Sequence, residues 1–201
     1  MDYNLARKGY AQRKYNVLGV EGYEPHFFRT AQELINTRGS AIRALYGMKL
    51  QGVWLMWDRK DDSWWQDGPV ILEFDDLQCE LCANKLSEYS VTFDSIDREQ
   101  SLDWFGIEEI QLTWKVNPLP EIIPFVGQAV SGIFVTEYYF ETTVVANRNY
   151  PERIGQVDAT WLLHGILFKL NDQWLHAYNG LDQNSLEYDE PSRDTFRKTQ
   201  I

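Results

Sequence analysis

The chain is poor in cysteine, histidine and proline, with 2, 3 and 7 respectively among 201 residues. Cys79 and Cys82 are too few for a disulfide framework. No Cys or His elsewhere stands at a spacing that completes a zinc site with them. On one strand, residues three apart face opposite sides, so two packed thiols are expected rather than a redox pair. No apolar run reaches the roughly 18–20 residues that span a bilayer, and the first ten residues, MDYNLARKGY, lack the apolar stretch of a secretory leader. A cytoplasmic protein without membrane contact is expected. Also missing are a phosphate-binding loop, a glycine-rich dinucleotide turn, a serine elbow and a zinc-protease helix. Without these signatures the reading leans away from an enzyme, and neither cofactor nor metal is called for.

Positive charge is scarce as well. Nineteen basic residues against 30 acidic ones give a net charge of −11. Such a field opposes nucleic-acid backbones and anionic lipids, and it attracts a basic protein surface.

What the chain has in plenty is aromatic bulk, with eight Trp, eleven Tyr and ten Phe within a 44% hydrophobic composition. At this length that suffices for a substantial core. It also has an internal echo. Residues 47–55 (GMKLQGVWL) read against 127–135 (GQAVSGIFV) 80 positions later. Residues 70–94 then align with 166–189 once Leu77 is treated as an insertion, with Asp76/Asp172, Gln78/Gln173, Asn84/Asn179, Leu86/Leu181, Ser90/Ser185 and Asp94/Asp189 identical. Repetition of this kind sets architecture before any motif is considered.

The expected fold is α+β, mostly β. It has two tandem pseudo-repeats, about 40–97 and about 120–190, each a short helix followed by an antiparallel β-meander. They pack as one sandwich-like domain over 1–201, with 1–15 as a flexible arm. Thr30-Ala31-Gln32-Glu33 has capping-box spacing and predicts a helix start, with Gly39-Ser40 interrupting the helix and Gly47 ending it. In the second unit Pro118 and Pro120 lead into a turn that Pro124 keeps short and Gly127 closes. Strands are expected over 50–57, 70–74, 78–83, 90–93, 109–116, 130–138, 166–170, 173–178 and 185–188. Hairpin turns fall at Asp75-Asp76 and Asn171-Asp172. The second unit carries sixteen extra residues within 139–160, which predict a long loop.

Candidate contact residues follow from acids and rings that stand together. Asp58, Asp61, Asp62 and Asp67 surround Trp64 and Trp65, and Trp64 is expected to be the more exposed because Trp65 matches Trp161. The long loop adds Tyr139, Arg148 and Tyr150. Aromatic anchors in an acidic setting suit docking to a basic protein. The leading expectation is a non-enzymatic binding protein, of the kind of an immunity protein that neutralises a basic bacterial toxin. The alternative is a carbohydrate or small-ligand β-module with Trp54, Trp57 or Trp64 as stacking platforms. A hydrolase using paired carboxylates, with Glu187, Asp189 and Glu190 also available, ranks below both. His26, His164 and His176 have no partner at metal-ligand spacing and read as packing residues. Exposed sheet edges leave room for a homodimer.

Overall fold

The computed structural model describes residues 17–143, 155–191 and 194–201. The expected arm at 1–15, and Arg148 and Tyr150 of the expected loop, lie outside the described residues. Strands dominate. In chain order the elements are helix α1 (Ala31–Arg43), β1 (Leu50–Asp58), β2 (Ser63–Trp64), β3 (Val70–Phe74), β4 (Leu77–Asn84), β5 (Glu88–Phe93) and β6 (Leu112–Val116). A 3-10 turn, Pro120–Phe125, then precedes β7 (Val130–Thr143), β8 (Val157–Leu170), β9 (Gln173–Asn179), β10 (Asn184–Glu187) and β11 (Phe196–Gln200). Among the described residues no helix is long and apolar enough to cross a membrane.

Two antiparallel sheets result. In the first, β1, β3, β4 and β5 run as a meander, β2 pairs with the far end of β1, and β6 lines its other edge. In the second, β7 to β10 form the meander and β11 lines the outer edge of β7. The registers match closely. Leu50↔Phe74, a bulge, Val53↔Leu72 and Trp54↔Ile71 in the first sheet correspond to Val130↔Leu170, a bulge, Ile133↔Phe168 and Phe134↔Leu167 in the second.

The segments entering β1 and β7 bond to each other reciprocally. The Gly47 N–H donates to the Val130 carbonyl (2.9 Å) and that of Gly127 to Leu50 (2.7 Å); Leu50 donates to Gln128 and Val130 to Met48. Both glycines have φ near +80°, at +83° and +82°, a conformation that a side chain would strain.

Pairing corrects the expected alignment at one point. Phe74↔Leu77 and Leu170↔Gln173 close equivalent two-residue turns, so Leu77 is no insertion. Asp75 and Asn171 each supply the positive φ there, as short polar residues do in such turns. The extra residue lies in the next turn, where five residues separate Ala83 from Tyr89 and four separate Asn179 from Asn184.

Alternation along the strands puts Val53, Leu55, Val70, Leu72, Phe74, Leu81 and Val91 of the first sheet into one core with Ile133, Val135, Leu163, Ile166, Phe168, Leu170 and Leu175 of the second. Phe74 and Phe168 meet across it at 5.9 Å. Each fully buried side chain of this size contributes roughly 1.5–3 kcal/mol.

Ala31, Leu34 and Ile42 of α1 insert into the same core. Thr30 caps the helix, its hydroxyl accepting from the Glu33 N–H (3.2 Å), while the Glu33 carboxylate reaches back to the Arg29 N–H. The expected interruption at Gly39-Ser40 does not occur. Gly39 is buried inside the continuous helix, close to its own Ile35 and to the C-terminal Ile201, so it supplies room rather than a break.

Two strand expectations also change. Residues 109–111 lie outside β6, which begins at Leu112. Where a long loop is expected at 139–160, the described residues pair instead: Tyr139↔Trp161, Phe140↔Thr160, Glu141↔Ala159, Thr142↔Asp158 and Thr143↔Val157 extend β7 and β8 as two paired strands.

Side-chain amides and a phenol tie the sheets together at the ends of β4 and β9. Asn184 Oδ1 accepts from the Ala83 N–H (2.8 Å), and its Nδ2 donates to Gly68 (2.8 Å) and Gln66 (3.2 Å) carbonyls. Asn179 donates to the Lys85 and Glu88 carbonyls, and the Tyr89 hydroxyl to Ala177.

Candidate functional site

Each sheet has a second face turned away from the shared core, and the two are treated differently. On the first sheet Trp54, Met56, Ile71 and Cys82 are overlaid by Leu18, Val20, Tyr23 and Phe27 from before α1 and by Ile96, Leu102 and Trp104 from after β5, a second apolar core. Cys79 faces the main core and Cys82 this one, both as buried free thiols. Burial raises both thiol pKa values, that of Cys82 to about 12, which leaves them protonated and unreactive near neutrality.

On the second sheet the corresponding face is lined by rings. Period-two spacing brings Phe134, Thr136 and Tyr138 of β7 beside Leu167 and Lys169 of β8, Trp174, His176 and Tyr178 of β9, and Phe196 and Lys198 of β11. His164 joins them because a register shift between Thr136 and Glu137 leaves it opposite no β7 residue. Its ring stacks on Tyr178 (4.6 Å, 22°), meets Phe196 edge-on (4.9 Å, 76°) and lies 5.3 Å from His176.

A cavity of about 290 Å³ opens on this face. Its walls include Tyr138, Phe140, His164, Tyr178, Phe196 and Glu187. Leu86 and Leu181, from the β4–β5 and β9–β10 turns, stand at it largely exposed, Leu181 by 70%. Beneath the rings, His176 is fully buried. Its Nε2 lies 2.9 Å from the Thr136 hydroxyl, and its Nδ1 is 3.8 Å from Glu187, whose side chain is 40% exposed. Burial holds the His176 pKa below the usual imidazole value against the opposing pull of Glu187, so the ring is neutral at pH 7. The 3.8 Å separation is too long for a hydrogen bond. Thr136, at 1% exposure, is closed to solvent, so the bonded Thr136–His176 pair is a buried support for the wall.

The residues singled out from the sequence lie elsewhere or serve locally. Asp58 is buried and accepts from the Lys60 N–H (2.8 Å), shaping the β1–β2 turn. Asp62 accepts from Trp57 Nε1 and Lys115 Nζ, both at 2.8 Å, and these bonds lower its carboxyl pKa. Asp61 is exposed. Asp67 is exposed too, with its pKa raised by partial desolvation and by Asp182 nearby.

Trp64 does not stand out from the surface: it is half-buried against the main core, whereas Trp65 packs edge-on to Trp104 (5.2 Å) in the second cluster. The faces of Trp54 and Trp57 are occupied by Arg98 and Lys115, each 4.3 Å from the ring centre, so neither is an open stacking platform. Tyr139, half-buried on the other sheet, packs on Trp161 (5.3 Å). Among the described candidates, Asp58 to Asp67 thus lie at and beyond the end of β1 in the first sheet and Tyr139 lies on β7 in the second.

Sequence reading missed the ring-lined face. Its signal was the alternation Trp174, His176, Tyr178 matched by Phe134, Thr136, Tyr138. Among the described residues no three His, Cys, Asp or Glu side chains converge as a metal site requires. Comparison with family models, curated proteins and solved structures found no match.

Proposed function

We propose that the chain is a single domain built from two copies of one unit, and that the outer face of the second copy is a binding site for a basic protein. The reciprocal bonds of Gly47 and Gly127, with the shared bulge and register, support the duplication. One observation carries the binding reading: the first copy covers its outer face with its own chain, whereas the second presents a cavity lined by rings and flanked by exposed leucines. Apolar anchors in a recess, within a strongly acidic protein, suit a partner of opposite charge. A cytoplasmic, non-catalytic role of the immunity-protein kind, with a basic toxin as the partner, fits this chemistry. A second reading, a small-ligand or carbohydrate module, is favoured by the cavity's size, near the lower end of ligand sites, and by its aromatic walls.

The test is capture from native lysate with the immobilised full chain, at low and high salt, beside Leu181→Arg. Leu181 is 70% exposed, so the substitution leaves packing intact. A basic protein retained at low salt, released by salt and lost in the variant is the expected result. No basic protein retained, or retention that Leu181→Arg leaves unchanged, defeats the reading.

A further inference from the structure

The chemistry of the cavity is more specific than apolar. Its rings come from four strands: Tyr138 and Phe140 from β7, His164 from β8, Tyr178 from β9, and Phe196 from the start of β11. Aromatic rings carry negative charge on their faces, and several gathered round one space attract a cation more than a neutral group of the same shape. The carboxylate of Glu187 shares the wall and adds a formal negative charge. Below them His176 is neutral and so adds no positive charge beneath a cation. The chain uses the same attraction repeatedly elsewhere: Arg98 lies over Trp54, Lys115 over Trp57, Arg197 over Trp161, and Lys198 over Trp174. Leu86, Leu162 and Leu181 supply an apolar flank along which a methylene stem can lie.

We infer that this cavity receives a lysine side chain of the protein partner, with its stem along the leucines and its ammonium group between the rings and Glu187. The inference rests on the binding reading above and deepens it. It also accounts for selectivity: a neutral side chain of equal length fills the space but gains nothing from the rings or the carboxylate.

The probes are N-acetyl-lysine methylamide and its neutral counterpart N-acetyl-norleucine methylamide, titrated into the full chain and followed by ring-proton shifts in NMR. The lysine probe is expected to bind about ten-fold more tightly, the size of a desolvated cation–ring contact. That preference is expected to shrink several-fold in Glu187→Gln and again in Phe196→Leu, with thermal melts showing that each variant remains folded. Equal binding of the two probes, no binding of either, or a preference that survives both substitutions overturns the inference. The binding reading fails separately. Equal probe binding with a basic partner still lost in Leu181→Arg sinks the lysine choice alone. A lysine preference with no basic partner captured sinks the protein-partner reading alone.

Discussion

Single side chains hold the two sheets in relation to each other, and Asn184 does most. It is 1% exposed, and its amide satisfies one N–H and two carbonyls belonging to the other half of the chain. Replacement by Ala leaves the Ala83 N–H and the Gly68 carbonyl buried without partners. Since each such orphan costs roughly 1–3 kcal/mol, Asn184→Ala is expected to lower stability by about 3 kcal/mol, read as a fall in the urea midpoint at unchanged slope. A loss below about 1 kcal/mol would show that water replaces the amide. Nothing in the sequence separates Asn184 from any other turn asparagine, because its role depends on two hairpins meeting that lie a hundred positions apart. His164 and His176 were obscure for the same reason. As isolated letters they match packing positions, and only strand register brings their rings within 5.3 Å.

Elements were legible wherever a local period fixed them. The strands from β3 to β5 and from β7 to β10 follow alternation, and the capping threonine, the Asx turns and the closing glycines stand where short-range chemistry puts them. Irregularities were not legible. The shift that frees His164 follows from Gly165, whose bare backbone lies against β9. A Cβ there would stand 2.2 Å from the Ala177 carbonyl oxygen and 2.6 Å from Tyr178 Cα, both backbone atoms that cannot swing aside. Gly165→Ala is therefore expected to push β9 off β8, at a cost of about 3 kcal/mol, the upper range for overpacking. The observable signs are faster hydrogen exchange of β8 and β9 amides and loss of the upfield ring shifts from the His164–Tyr178 stack. If the variant melts as the parent does with those shifts intact, the close approach of β8 and β9 is wrong. The lengthened hairpin illustrates the other limit. Extra residues at 139–160 read as a loop because they have no counterpart in the internal echo, which hides the pairing that Tyr139 and Trp161 begin.

At the scale of the whole molecule, the first sheet has its outer face covered by an apolar layer and the second keeps a buried, uncharged imidazole under an open one, which makes stability depend on pH in a definable way. Burial lowers the His176 pKa in the folded chain, so the unfolded chain takes up the proton first as pH falls. The stabilisation is thus complete above the ordinary imidazole value of about 6.5 and is lost progressively below it, with a slope of at most about 1.4 kcal/mol per pH unit from this one group. Thr136 Oγ1, the Glu187 carboxylate and the rings of His164 and Tyr178, 5.3 and 4.8 Å away, face this ring.

Carboxylates act later. Glu73, held down by Arg98, and Glu88, held down by Lys85 and then Arg29, contribute stability present above about pH 4.5 and lost as they protonate below it; Asp67, with its raised value, acts in the opposite sense. Urea midpoints are therefore expected to decline in two stages, a shallow one from pH 6.5 downward and a steeper one below about 4.5. His176→Gln, which can still bond Thr136 but cannot take up a proton in this range, is expected to abolish the first stage and keep the second. Should the variant lose stability between pH 7 and 5 as steeply as the parent, the first stage belongs to another group, and the neutral floor beneath the ring-lined cavity loses its support.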